Sequence, residues 1–199
     1  MIKSPIQKVT NKLQYRAIGI VNGIYSPNDQ DQINKGFLID NQEKKIESVV
    51  LGKSLSIIKK HIDLKKSYFW IVYPKNKNIQ NLHLQIAGIW DPYLLNDMPK
   101  ENSRGNTLDL LKEFHLKDNY FSIRGELVYV NIEKKEIVIK ICSSYKVKKL
   151  KNHNFKLVLK GEIPLEFLNH FVSLDVFREG NNLRMIQYEV IQKISQKKQ

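Results

Sequence analysis

Through most of this chain apolar side chains fall at every second position, the spacing that gathers them on one face of a β-strand. YRAIGIVNGIY (15–25), GFLID (36–40) and IESVVLG (46–52) read as three strands, separated by the turn-rich SPNDQDQ and by NQEKK. The period then lengthens. In KSLSIIKKHIDLKK, Leu55, Ile58 and Ile62 recur at i, i+3 and i+7 with lysines between them. That spacing predicts an amphipathic helix, with Ser54 as its N-cap. YFWIVY (68–73) and LHLQIAGIW (82–90) return to strand character, rich in aromatic and β-branched residues.

The same order then recurs. YFSIRGELVYV (120–130), IVIKIC (137–142) and FKLVLKG (155–161) predict three strands. Alternation sets Ile137, Ile139 and Ile141 opposite Val138, Lys140 and Cys142, and sets Phe155, Leu157 and Leu159 opposite Lys156, Val158 and Lys160. A short helix-like segment, EIPLEFLNH (162–170), precedes FVSLDVF (171–177) and LRMIQYEVI (183–191), which are joined by the Gly-containing turn REGNN. The two copies also begin alike: Tyr15 superposes on Phe121, Ala17 on Ile123, Gly19 on Gly125 and Val21 on Leu127.

Three strands, a helix and two strands is the element order of an OB-fold, a five-stranded Greek-key barrel. Gly19 would permit the bend that the long first strand needs. The expectation is a mainly β protein with short helices, built as two OB-like five-stranded Greek-key barrels in tandem. Its parts are a flexible arm (1–13), a first barrel (14–91), a linker (92–118) with a short helix at Leu108–Phe114, a second barrel (119–193) and a polar tail (194–199).

Four stretches, VVLGKSLSIIKKHIDLKKSYFWIVYPK, LHLQIAGIWDP, YFSIRGELVYV and FKLVLKGEIP, resemble a family of small cyanobacterial proteins with two OB-like barrels. The resemblance covers residues 15–190 and implies a cytoplasmic location in a photosynthetic bacterium. It implies no activity and carries over no site residues.

Composition narrows the functional classes. Of the 199 residues 42% are hydrophobic and 27% charged, as in ordinary globular proteins. No apolar run approaches the roughly 18 residues of a membrane span, and MIKSPIQKVTNKLQ has no apolar core like that of a signal peptide. An intracellular, cytoplasmic protein without membrane insertion is expected. Cys142 is the sole cysteine, so no intrachain disulfide can form.

The net charge of +13 suits a polyanionic partner, because polyanions bind basic proteins by releasing counterions. A second source of the same charge is codon bias: 28 Lys against 5 Arg, with 24 Ile and 18 Asn, is the usage of an AT-rich genome. The charge is also spread. Residues 1–98 carry 14 basic and 8 acidic side chains and residues 99–199 carry 19 and 12, or +6 and +7.

Few patterns point to catalysis. His61, His83, His115, His153 and His170 are scattered singly, without metal-ligand spacing. LGKS (51–54) has the end of a phosphate loop, but Glu47 stands where its first glycine belongs. No GxSxG occurs, and Cys142 has no evident base. A non-enzymatic protein without metal or cofactor is expected.

Binding is more legible. An OB barrel holds nucleic acid on the face of its second and third strands and on the loops between strands one–two and four–five, with cations on phosphates and aromatics on bases. In the second barrel those strands offer Lys140, Lys156 and Lys160, with Arg124 on the neighbouring first strand. The loop after the second strand adds Tyr145, Lys146, Lys148, Lys149 and Lys151, and Arg178 and Arg184 flank the four–five turn. Tyr129 and Tyr145 are the stacking candidates. In the first barrel Lys35, Lys44 and Lys45 occupy comparable positions, and Tyr68, Phe69, Trp70 and Tyr73 divide between barrel interior and exterior. Two functions follow. One is a nucleic-acid-binding protein for single-stranded DNA or RNA, ribosomal RNA included. The alternative is a protein–protein adaptor or complex-assembly factor, with exposed aromatics such as Tyr68 or Trp70 as anchors.

Overall fold

The computed structural model describes residues 2–29, 31–78, 81–92, 107–142 and 154–194. These divide into two compact units. One draws on Met1–Gln7, Gly19–Tyr73 and His83–Tyr120, the other on Lys8–Ile18, Pro74–Leu82 and Phe121–Gln199.

The first unit contains β1 (Arg16–Pro27, from Gly19 onward), β2 (Lys35–Asp40), β3 (Lys45–Val50), α1 (Gly52–His61), β4 (from Tyr68), β5 (to Trp90) and α2 (Thr107–Glu113). The strand order β2-β3-β5-β4-β1 is closed by a β1–β2 pairing, giving a five-stranded barrel with the connectivity of an OB-fold. β3 runs parallel to β5, with Ser48 opposite Leu84, and the pairings of β1 with β2 and β4 are antiparallel. The interior is filled by Val21, Tyr25, Leu38, Trp70 and Val72, all fully buried.

The aromatic strand divides as alternation demands. Trp70 points inward, packs on Tyr25 with ring centroids 5.9 Å apart, and donates its indole N–H to the Gly23 carbonyl at 2.8 Å. Phe69 on the other face is covered by Trp90, which in turn meets Phe114 just after α2. The Trp90 indole donates to the Lys3 carbonyl at 3.0 Å. Of the two aromatics named as anchors for the adaptor reading, Trp70 therefore cannot serve, because a side chain that seals the barrel has no surface to offer, whereas Tyr68 is half-buried.

α1 opens one turn earlier than expected. Leu51 is its N-cap, and no side chain caps it. Ser54 lies inside the first turn and donates its hydroxyl to the Ala87 carbonyl at 2.5 Å, so its hydroxyl ties the helix to β5.

The second unit contains β6 (Tyr120–Asn131), β7 (Glu136–Ile141), β8 (Phe155–Lys160), a single 3-10 turn (Leu165–Phe167), β9 (His170–Glu179) and β10 (Asn182–Lys193). The order β6-β7-β8-β10-β9 is closed by β6–β9, repeating the connectivity of the first barrel. Where the first barrel has α1, this one has only the 3-10 turn, in the segment expected to be helix-like.

Equivalence between the two barrels is set by Gly23 and Gly125. A Cβ on either would overlap a carbonyl oxygen of the next strand, Ile39 in one case and Lys140 in the other. The spatial counterpart of Gly125 is thus Gly23 rather than Gly19, which the sequence pattern had superposed on it.

Residues 2–13 do not form a loose arm. Ile6 is buried, and Lys3 and Lys12 each offer a backbone carbonyl to a buried or half-buried side chain. The polar tail falls outside the described residues from 195 onward.

Candidate nucleic-acid interface

Three rows of side chains cross the outward face of β6, β7 and β8. Register sets Glu126 beside Lys140 and Lys140 beside Lys156. The next row is Tyr129, Val138 and Val158, and the third joins Asn131, Glu136, Lys160 and, through β10, Arg184. An apolar row with an exposed tyrosine thus lies between two charged rows. Tyr129 retains 51% of its surface.

The charged rows are ordered by ion pairs. Lys140 Nζ sits 2.9 Å from Glu126, Lys160 Nζ 2.6 Å from Glu136, and Arg184 Nε 2.6 Å from Glu179. The Glu126 carboxylate also accepts from the Tyr15 hydroxyl. Its hydrogen bond raises the pKa of Lys140, and burial followed by the same carboxylate raises that of Tyr15. Both groups hold their protons throughout the physiological range. Lys156 makes no ion pair among the described residues. Such half-exposed pairs contribute little to stability, about 0–1 kcal/mol each. They do hold long side chains in one place, where a phosphate oxygen can replace the carboxylate.

At one end of this face the β6–β7 turn and the β9–β10 turn converge. Lys134 and Lys135 from the first, Arg184 beside the second and Lys160 from the end of β8 line a cavity of about 360 Å³. Glu162 and Glu179 also line it, and Lys135 is paired with Glu162 at 2.8 Å. Lys135 adopts a positive φ of 50° in the turn, and its carbonyl accepts from the Gly161 N–H at 2.8 Å, which fixes the turn against β8. Four cations surrounded by carboxylates make a set of positioned contacts rather than a bare cationic patch.

Against expectation, two arginines are buried. Arg124 is 6% exposed; its guanidinium donates to the Lys12 carbonyl at 2.8 Å and the Gln14 carbonyl at 3.4 Å and lies over the Phe171 ring. Arg178 is equally buried and donates to the Gly180 carbonyl at 2.7 Å. Alternation assigns a residue to one face of a strand but does not say whether chain packs on that face; here residues 12–14 pack over β6. Lys140, Lys156 and Lys160 do share the outward face, and Arg184 stands exposed at its end. Tyr145, Lys146, Lys148, Lys149 and Lys151 lie outside the described residues.

The sequence reading passed over Lys134 and Lys135. The signal was present: NIEKKE is the loop between the first and second strands of the second barrel, one of the two loops an OB-fold uses. It also passed over Lys75, whose ammonium lies above the Phe155 ring at the start of β8.

Two family models match the chain. Residues 17–97 match the PatR RNA-binding protein, N-terminal OB-fold domain, and residues 123–192 match the cyanobacterial OB-fold-like RNA-binding domain, C-terminal. No curated protein matches it. The two matches fall in order on the two barrels and together cover well over half of the chain, which therefore belongs to the cyanobacterial family of tandem OB-fold proteins that these two domains define.

Proposed function

We propose that this chain is a non-enzymatic RNA-binding protein that holds a single-stranded segment on the second barrel, along β7 and β8 and into the cavity between the β6–β7 and β9–β10 turns. One observation carries this reading: Lys134, Lys135, Lys160 and Arg184, from three separate parts of the chain, meet around one cavity at the end of the β7–β8 face. OB-folds bind oligonucleotides at this place. The descriptions of both matching domains name RNA, which favours RNA over DNA. Tyr129 offers a ring on which a base can stack, a contact worth about 1–3 kcal/mol per base in single-strand binders.

The test is fluorescence anisotropy with labelled single-stranded RNA, single-stranded DNA and duplex RNA at two salt concentrations. Replacing Lys134, Lys135 and Lys160 together by Gln should weaken RNA binding at every salt concentration. It should also flatten the dependence of log affinity on log salt by about 2, at about 0.7 per phosphate contact on a single strand. Unchanged affinity in that variant removes this cavity from the binding surface. The adaptor reading loses one of its two named anchors with the burial of Trp70 and keeps the half-buried Tyr68.

A further inference from the structure

The cationic cavity has a neighbour of different chemistry. A second cavity, of about 320 Å³, shares Lys160 and Asn182 with the first. Three side-chain amides line it, Asn76, Asn181 and Asn182, together with the apolar Leu82, Leu159 and Leu183. Its size falls at the lower end of the roughly 300–1,000 Å³ of small-ligand clefts.

The amides are not explained by the local backbone. Asparagine is common in turns because it tolerates positive φ. In the β9–β10 turn that conformation belongs to Gly180, with φ of 60°, and neither Asn181 nor Asn182 adopts it. Among the described residues their side chains make no hydrogen bond, and both residues are exposed. Asn76 is anchored: its Oδ1 accepts from the Val158 N–H at 3.0 Å, which orients the amide and leaves its NH2 group as a donor.

We infer that this cavity receives one nucleobase of the bound RNA, with the adjoining phosphate in the cationic cavity. Side-chain amides carry a donor and an acceptor side by side and so match the edge of a base, whereas a phosphate has only acceptors. The buried Leu82, Leu159 and Leu183 back the cavity, and Lys160, common to both cavities, sits where base and phosphate would join. The inference rests on the RNA-binding reading and deepens it. Lysines on phosphates cannot distinguish sequences. The amide cavity would give the chain a preference for one base at one position.

Anisotropy titrations with labelled eight-nucleotide oligo(A), oligo(C) and oligo(U) RNA test this. The expected result is a spread of roughly ten-fold or more between the best and worst oligonucleotide, the size of one good base contact. In the Asn181→Ser, Asn182→Ser variant the spread should collapse, while the salt dependence stays that of the parent. Both positions are exposed, so folding should survive the change, and an unaltered thermal transition checks this. Equal binding of all three by the parent chain, or a spread that persists in the variant, overturns the inference and leaves RNA binding standing. Binding of none of the three at low salt overturns RNA binding and this inference together.

Discussion

The ammonium of Lys75 lies 3.0 Å from the centroid of the Phe155 ring. Two effects oppose each other there. Burial lowers the pKa of Lys75 from 10.5 to about 8, whereas the negative face of the ring attracts the cation and works against that shift. Replacing Phe155 by Leu removes the attraction and leaves the burial. The Lys75 pKa, followed by NMR titration of methyl-labelled lysines, should then fall below its value in the parent chain.

The same lysine makes stability depend on pH with a definite sign. Between about pH 8 and 10.5 the unfolded chain still holds a proton on Lys75 that the folded chain has lost. Stability from this group therefore rises with pH across that window. Urea unfolding at a series of pH values should show a rise that is smaller in the Lys75→Met variant. An identical slope in the two proteins would show that Lys75 titrates normally.

Trp70 seals the first barrel and satisfies the Gly23 carbonyl. Trp70→Phe keeps most of the ring but leaves that carbonyl without its partner, at a cost of about 1–3 kcal/mol. Trp70→Ala also opens a cavity and should cost about 3–5 kcal/mol. The urea midpoints should fall in that order. A Trp70→Ala protein as stable as the parent would mean that this ring is not the core of the barrel.

Gly125 and Gly52 should respond oppositely to alanine. The methyl group at 125 would overlap the Lys140 carbonyl and press on Ile139 and Ile141, costing about 1–3 kcal/mol through overpacking. At 52, on the first turn of α1, nothing lies within 4 Å, and alanine should be neutral or stabilising by up to about 1 kcal/mol. Thermal melts of the two variants measure the contrast.

Arg124 is assigned to structure rather than to RNA. Its guanidinium holds the Lys12 and Gln14 carbonyls, so Arg124→Ala should expose residues 8–13 to trypsin at Lys8 and Lys12. RNA affinity at a temperature where the variant remains folded should change little. Early cleavage with unchanged affinity supports this division of roles.

Much of this architecture was legible because a strand writes its burial into a period of two. IVIKIC and FKLVLK placed Lys140, Lys156 and Lys160 on one side and the isoleucines and leucines on the other, and the structure has them so. What alternation could not fix was register. A slip of four residues leaves every side chain on its own face, so Gly19 matched Gly125 in pattern while Gly23 matches it in space. Nor could it say what covers an outward face, which is why Arg124 read as a surface cation. The cavity at the end of the second barrel arises from two turns and the end of β8, far apart in sequence, and only the closed barrel brings Lys134, Lys135 and Arg184 together.

The most direct measurement is the affinity of the parent chain and its Lys134→Gln, Lys135→Gln, Lys160→Gln variant for a labelled single-stranded RNA, by anisotropy at two salt concentrations. Tight, salt-dependent binding by the parent, weakened and made less salt-dependent in the variant, is the expected result. Equal affinity and equal salt dependence in the two proteins would contradict the assignment of RNA to the second barrel's cationic cavity.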